Sequence, residues 1–416
     1  MTHTHTHART HARHTQTHTH TYTYQQNMQP ISRMMSSRRL ATTLSHLSPR
    51  SAALRPRLLS SVKPFDQVLV DEHEHSVTVT LNRPKALNAL NLSMIHFLTP
   101  LYRKWEEQRK MVVMIGAGET AFCAGGDIVQ IYESGIKRER YTYEFFKDEY
   151  VLNHLIGTLT VPHVALLNGI TMGGGVGLSV HGKFRVATEK TVFAMPETGI
   201  GFFCDVGGSY FLPRLAGETG MYLALTGARL KGYDVFTKGI ATHFVPSEKI
   251  PALQKDLHNL SPAEFVRVGD VISYYSEHHA HEDEQAYVMQ AAIDECFSAD
   301  TVEEIVDRLR ALNSDFGNKC ISLLSKMSPT SLKVVFEQMR RGRQLSFSEC
   351  FQMELRMSQR FMASAPKGDF FEGVRELLVD KTKNPKWSPA RLEDVSASAV
   401  AEYFAPLPAA DELTFH

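Results

Sequence analysis

The chain has 416 residues, enough for one large or two modest domains with a substantial hydrophobic core. Its 43% apolar and 22% charged residues are typical of a globular protein, and no run of about eighteen apolar residues predicts a membrane span. The net charge of zero averages two unlike regions, because residues 1–65 carry eight arginines and no acidic residue, which leaves the remainder mildly acidic. That balance argues against nucleic-acid binding through bulk charge, and five scattered cysteines without a CxxC argue against a disulfide framework.

The N-terminal region has a composition unlike that of the rest of the chain. Residues 2–24 alternate Thr with His or Tyr, the pattern of a translated dinucleotide repeat; a His-rich metal-binding tract is the alternative interpretation. The stretch that follows is rich in Arg and Ser and free of acidic residues, which predicts a mitochondrial transit peptide removed between Arg57 and Ser61. Residues 1–61 are therefore expected to be a disordered extension and transit peptide, with the mature chain in the mitochondrial matrix.

Strand and helix patterns alternate over the next part of the chain. Residues 67–81 predict a two-stranded hairpin, and the apolar spacing of residues 86–105 predicts a helix with Pro100 inside it. Short strands are predicted over residues 112–116, 163–167, 184–187 and 192–194, with a helix over 176–181. This rhythm predicts an α/β fold whose loops gather at the strand ends.

Helical patterns dominate after Pro251. Helices are predicted over residues 251–257, 262–268, 284–297, 301–313, 320–326, 329–342, 346–363 and 369–379. We therefore divide the chain into an extension, residues 1–61, a core, residues 62–250, and a helical C-terminal region, residues 251–416. The His- and acid-rich cluster at residues 277–284 lacks metal-ligand spacing and is interpreted as a solvated loop.

Two glycine-rich loops carry the strongest chemical signal. Residues 121–128, AFCAGGDI, follow a predicted strand and lead into a helix that Asp127 would cap. Residues 172–178, MGGGVGL, contain three consecutive glycines after a second strand. Backbone N–H groups from two such loops can form an oxyanion hole, in which losing one donor typically costs on the order of 10²–10³ in rate.

These loops, with FAMPETGIGFFCDVGGSYFLPRL and LTGARLKGYDV, resemble the crotonase (enoyl-CoA hydratase/isomerase) superfamily from about Phe65 to the C-terminus. The resemblance implies a spiral ββα core with a helical C-terminal region. It also implies oxyanion-hole N–H groups at Gly126 and Gly174, and a CoA-binding segment at Lys85, Ala86 and Leu87. The implied partner is an acyl-CoA substrate, with no cofactor beyond the CoA it carries and no metal. Members of the superfamily form trimers and hexamers, so a homo-oligomer is compatible with it.

The resemblance also assigns acidic residues. Glu197 matches a catalytic carboxylate of the superfamily and Asp205 the aspartate of its hydrolase members, whereas Glu149 matches an acidic residue at the distal end of their substrate. Substrate contacts are therefore expected from Glu149, Gly174, Glu197 and Asp205. Typical hydratases carry a second glutamate two residues after the glycine triplet, but this chain has Gly177 there.

Loss of that glutamate removes half of a hydratase's acid–base apparatus, so thioester hydrolysis is the preferred hypothesis. Glu197 would either deprotonate water or attack the carbonyl to form an anhydride, and Asp205 would position the water or tune Glu197. The alternatives are a hydratase or isomerase, and a non-catalytic structural or RNA-associated protein of this fold. Cys204 stands where related hydrolases have Pro, which predicts a looser loop around Asp205; a cysteine nucleophile there lacks a nearby base.

Overall fold

The computed structural model describes residues 65–278 and 284–415. Ten strands are present in this part of the chain: β1 Val68–Glu72, β2 Ser76–Leu81, β3 Met111–Gly116, β4 Ala121–Cys123, β5 His163–Leu167, β6 Ile170–Met172, β7 Phe184–Ala187, β8 Val192–Ala194, β9 Leu230–Lys231 and β10 His243–Phe244.

Sixteen α-helices accompany them in the same ranges: α1 Leu92–Glu107, α2 Ile128–Ile136, α3 Tyr141–Thr158, α4 Gly174–Gly177, α5 Gly208–Phe211, α6 Thr219–Thr226, α7 Tyr233–Thr237, α8 Ile250–His258, α9 Phe265–Tyr275, α10 Glu284–Phe297, α11 Val302–Ala311, α12 Asp315–Leu324, α13 Pro329–Gly342, α14 Phe347–Ala363, α15 Asp369–Val374 and α16 Ala397–Glu402. A π-helical turn, Arg375–Val379, extends α15.

The strands form two sheets, and the chain alternates between them. The larger sheet has the order β1-β2-β3-β5-β7-β10, and the smaller has the order β4-β6-β8-β9. Each of the consecutive pairs β3–β4, β5–β6 and β7–β8 therefore contributes one strand to each sheet. This repeating path is the ββα spiral expected from the sequence, and the α/β prediction is confirmed.

Alternating strand residues supply two hydrophobic clusters on opposite faces of the larger sheet. Val112 and Met114 pack into the main core together with α1, whereas Met111 and Val113 face a smaller core formed with α8 and α9. Helix α1 buries Met94, Leu98, Tyr102 and Trp105, which recur every three or four residues and so lie on one face.

Four helices have a boundary that differs by four or more residues from the sequence prediction, and one of them is α12, which begins at Asp315 rather than at residue 320. Residues 84–86 form a separate 3₁₀ turn, and α1 begins only at Leu92, because Leu87 and Asn88 adopt left-handed φ angles and Asn91 caps the helix. The helix after the glycine triplet spans Gly174–Gly177, so the prediction of a helix over residues 176–181 was wrong. Helix α9 spans Phe265–Tyr275, later than predicted.

Several predictions fall partly or wholly outside the described ranges. The extension and transit peptide, residues 1–61, lie outside them, as do residues 279–283 of the His- and acid-rich cluster. Within residues 65–278 and 284–415, no helix is long and apolar enough to span a membrane. The same residues contain no group of three or more His, Cys, Asp or Glu arranged to hold a metal ion.

Candidate active site

The candidate site lies where three neighbouring parallel strands of the smaller sheet end. Strand β4 pairs with β6, and β6 pairs with β8, all in parallel. Gly126 lies in the loop after β4, Gly174 is the first residue of α4 after β6, and Glu197 begins a 3₁₀ turn after β8. A cavity of about 200 Å³ opens there, and its lining includes both glycines together with Glu149, Glu197 and Asp205. The structure thus brings together all five residues that the sequence assigned to chemistry or acyl recognition.

The two glycine loops meet at Gly126 and Gly174. A Cβ atom on Gly174 would lie 3.2 Å from the amide nitrogen of Gly126 and 2.7 Å from Glu149 Oε1, so any side chain at this position would fill the site. Leu90 bridges the residues on either side of Gly126, accepting from Asp127 N and donating to Gly125 O. Among the described residues, neither the Gly126 nor the Gly174 amide donates a backbone hydrogen bond outside regular elements. Two N–H donors are therefore available to a ligand oxygen.

Three carboxylates face this cavity, and all are buried. Glu149, Glu197 and Asp205 are 1%, 6% and 6% exposed. The Tyr150 hydroxyl donates a 3.0 Å hydrogen bond to Asp205 Oδ2. Glu149 Oε1 and Glu197 Oε2 have no hydrogen-bond partner among the described residues, so both atoms can form a hydrogen bond with a bound molecule.

Burial raises the pKa values of all three carboxyl groups, and the charges of acidic neighbours raise those of Glu149 and Glu197 further. Burial raises the pKa of Asp205 to about 7, against the opposing hydrogen bond from Tyr150. The pKa of Glu197 is raised well above its ordinary value by burial and by the charge of Asp205. The pKa of Glu149 is likewise raised by burial, and then by the charges of Asp205, Glu354 and Glu197. Asp205 can therefore exchange a proton near neutral pH, and strongly shifted pKa values in a cavity are typical of functional sites.

The position of Gly177 has no room for a second acid. A Cβ atom there would lie 2.7 Å from Val206 Cβ and 2.8 Å from Asn153 Oδ1. Asn153 reaches this space from α3, one turn beyond Glu149. The glycine expected to separate this chain from hydratases is therefore enclosed by its own neighbours.

Comparisons with known proteins agree with this geometry. Residues 76–404 match the family model described as enoyl-CoA hydratase/isomerase. The chain belongs to that family. It is 51% identical over 354 residues to a Danio rerio protein named 3-hydroxyisobutyryl-CoA hydrolase, mitochondrial, a match covering 84% of this chain and 92% of that protein.

Two further family members give the range of similarity. The Homo sapiens protein of the same name is 44% identical over 386 residues, covering 92% of this chain and 97% of that protein. The crystal structure of a carnitinyl-CoA dehydratase from Mycobacterium thermoresistibile has a TM-score of 0.77 at 37% identity, covering 84% of this chain and 99% of that one. The fold is therefore common to family members with different named activities, and the reaction has to be argued from the site.

The segment that family resemblance assigns to CoA lies beside the cavity rather than in its lining. Lys85, Ala86 and Leu87 are exposed, and the Leu87 carbonyl accepts a 3.0 Å hydrogen bond from Ala124 N. Because Ala124 leads into the glycine loop, this segment lies where a long ligand could leave the cavity. Its role in binding CoA stays a prediction.

Cys204, which stands where a looser loop was predicted, is packed against a distant helix. The Cys204 thiol is fully buried, and burial, followed by the charge of Glu197, raises its pKa well above the ordinary value, which disfavours a thiolate nucleophile. The Cys204 carbonyl accepts a 2.6 Å hydrogen bond from Gln338 Nε2 on α13. A contact from a distant helix therefore holds the backbone where proline is absent.

Three residues in or beside this site were not predicted from the sequence. Tyr150 binds Asp205, Leu378 lines the cavity from the π-helical turn, and Glu354 accepts hydrogen bonds from the loop after Asp205. A signal existed for Glu354, because it lies in the apolar stripe of a helical pattern with Cys350 and Phe361, where an acidic residue is unusual. No comparable signal marks Leu378.

We expect Asp205→Asn to stabilise the protein, increasingly as pH rises. The unfolded aspartate ionises near pH 4 whereas the folded one ionises near 7. Its burial therefore costs nothing below pH 4, and the cost grows between pH 4 and 7 and is complete above pH 7. The free energy of unfolding by urea should therefore exceed that of wild type by on the order of 2–4 kcal/mol at pH 8 and by little at pH 4. Asp270→Asn, at an exposed aspartate, is the control. An equal gain in the free energy of unfolding at both pH values would contradict the interpretation that the buried charge of Asp205 destabilises the wild-type protein.

We expect Gly177→Ala to destabilise the fold by about 1–3 kcal/mol, because its methyl group would overlap Val206 and Asn153. Gly269→Ala is the matched control, since a Cβ there would lie 3.5 Å from Phe184 Cε1, an ordinary contact inside α9. That control should be neutral or stabilising by up to about 1 kcal/mol. Urea denaturation of both variants measures the difference, and equal effects would show that Gly177 is not enclosed.

Proposed function

We propose that this protein is an acyl-CoA thioester hydrolase that cleaves 3-hydroxyisobutyryl-CoA to 3-hydroxyisobutyrate and CoA. The observation that carries the proposal is the combination within one cavity of two available amides, at Gly126 and Gly174, with Glu197 and Asp205. The enclosed Gly177 supports hydrolysis over hydration, because it leaves no space for a second hydratase glutamate. The relatives that are 44–52% identical and named for this hydrolase support the acyl group.

In the proposed reaction the thioester carbonyl oxygen accepts hydrogen bonds from the two glycine amides. These donors stabilise the negative charge that develops on that oxygen as the carbonyl carbon becomes tetrahedral. Collapse of the tetrahedral species breaks the carbon–sulfur bond, and the sulfur leaves with the electron pair and takes a proton to become the CoA thiol. A buried cavity strengthens the interaction, because little water competes for the oxygen.

Glu197 is the proposed catalytic carboxylate, and two routes fit its surroundings. In one, it removes a proton from water as the water attacks the carbonyl, and later gives that proton to the sulfur. In the other, its oxygen attacks the carbonyl, releases the thiolate and forms an anhydride that water then opens. Asp205, held by Tyr150, either orients the water or raises the basicity of Glu197 by charge repulsion.

Glu149 is proposed to select the acyl group. Its partnerless Oε1 lies beside Gly174 and can accept a hydrogen bond from the 3-hydroxyl of the substrate. An acyl group without that hydroxyl would leave the buried oxygen unsatisfied, which costs about 1–3 kcal/mol or more for a charged group. The CoA moiety would leave the cavity along residues 85–87.

The cellular setting proposed for this reaction is supported by the names of the relatives and by the N-terminal composition. Relatives named as mitochondrial, together with the acid-free Arg-rich start of the chain, support a mitochondrial protein, and we place it in the matrix, in valine breakdown. CoA enters as part of the substrate, so the reaction is proposed to need no separate cofactor or metal. We propose no nucleic-acid or membrane partner.

We expect Glu197→Gln to lower kcat for 3-hydroxyisobutyryl-CoA by about 10²–10⁴, because the amide keeps the shape but neither accepts a proton nor attacks a carbonyl. Free thiol release by the purified mature chain measures the rate. Glu133→Gln, at an exposed residue of α2, is the matched control and should keep wild-type activity. A wild-type rate no better than that of Glu197→Gln would refute the hydrolase proposal.

A further inference from the structure

The turn that carries Asp205 is held in a conformation that its own sequence does not favour. Val206 has a φ of +53° and Gly207 a φ of +84°, so two consecutive residues occupy the left-handed region. Gly207 adopts this conformation at no steric cost, but a β-branched valine at positive φ is a clear outlier, with a cost of order 1–3 kcal/mol. Such strain persists only where surrounding structure imposes it. The contacts that impose it therefore determine where the Asp205 carboxylate lies.

Glu354 makes the main contact of this kind. It extends from α14, is fully buried, and accepts hydrogen bonds from Gly207 N at 2.7 Å and Ser209 N at 2.9 Å, one on each carboxylate oxygen. These amides lie at the start of α5, which is too short to satisfy them itself. Glu354 is not part of the cavity lining, so its direct contact with the site is with the backbone of this turn.

Two other side chains hold the same turn from different directions. Gln338 Nε2 on α13 donates to Cys204 O at 2.6 Å and to Ser209 Oγ at 2.8 Å. The His181 ring lies 2.7 Å from Val206 O through Nε2, in the geometry of a donated hydrogen bond. Of these contacts, only the Glu354 carboxylate satisfies two amides of the turn at once, and it does so immediately after the strained Val206.

We propose that Glu354 is a positioning residue for Asp205: its carboxylate fixes the strained turn so that the Asp205 side chain faces the cavity beside Glu197. The proposal rests on the proposed hydrolase function, whose site it deepens. An amide at this position could accept from only one of the two backbone donors, since its other end carries hydrogens. The turn would then relax, and Asp205 would move away from the reacting atoms.

The test is Glu354→Gln in the purified mature chain, with thiol release and hydrogen–deuterium exchange measured on the same preparation. We expect kcat for 3-hydroxyisobutyryl-CoA to fall about 10- to 100-fold while KM stays within about twofold, because misplacing a catalytic group affects the reaction more than binding. Exchange in a peptide covering residues 204–209 should rise. A purely structural role would lower the melting temperature without this split between kcat and KM.

Asp294→Ala, which removes the acceptor altogether, is the matched control. Asp294, on α10, also accepts a backbone N–H from a distant loop, that of Glu218 at 2.8 Å, but this loop carries no proposed site residue. It should keep wild-type kcat and wild-type exchange over residues 204–209. A comparable fall in kcat for this variant would show that any lost anchor lowers activity, which would overturn the specific role of Glu354.

The remaining outcomes are also decisive. Wild-type kcat in folded Glu354→Gln overturns the proposal, whether or not exchange rises. If that variant does not fold, Glu354→Asp, which keeps the carboxylate but shortens its reach to Gly207 N and Ser209 N, takes the same two measurements, and unchanged kcat and exchange would overturn the proposal. If wild type releases no thiol, the proposed function fails. Exchange over residues 204–209 in Glu354→Gln then decides separately whether Glu354 holds the turn.

Discussion

Burial of acidic side chains without a cation is the constraint on which this site depends. Glu149, Glu197 and Asp205 face one small cavity, and no lysine or arginine in the described part of the chain contributes to their titration. Desolvation disfavours each ionised carboxylate there, and acidic neighbours add to this for Glu149 and Glu197. Asp205 therefore exchanges its proton near neutral pH, at a cost in stability that the surrounding core has to offset. Proton transfer to and from water is the chemistry that such groups serve.

The spiral path of the chain explains how the site is assembled. Because β4, β6 and β8 are parallel neighbours, the loops after them leave the same edge of the smaller sheet, carrying Gly126, Gly174 and Glu197. Helix α3 then adds Glu149, and the turn before α5 adds Asp205. The C-terminal helices complete the site indirectly, since Gln338 and Glu354 hold that turn from α13 and α14. A helical region far along the chain in this way contacts the turn that carries Asp205.

Some features of the fold and of the site could be predicted from local sequence, and others could not. The glycine loops and Glu197 lie within short motifs whose spacing reflects local backbone requirements, so they could be predicted, as could strands β5, β7 and β8. The start of α1 was missed because Leu87 and Asn88 adopt left-handed angles that periodicity does not reveal. Glu354 was missed because its partners lie about 147 residues earlier, a contact that only the folded structure creates.

The most direct test of the central claim is whether the wild-type protein cleaves a thioester bond or hydrates a carbon–carbon double bond. The purified mature chain should be given 3-hydroxyisobutyryl-CoA and crotonyl-CoA in parallel, with free thiol release and loss of the enoyl-thioester absorbance followed together. The account predicts thiol release from 3-hydroxyisobutyryl-CoA and no hydration of crotonyl-CoA, because Gly177 leaves no place for a second glutamate. Rapid loss of the enoyl absorbance without thiol release would contradict it.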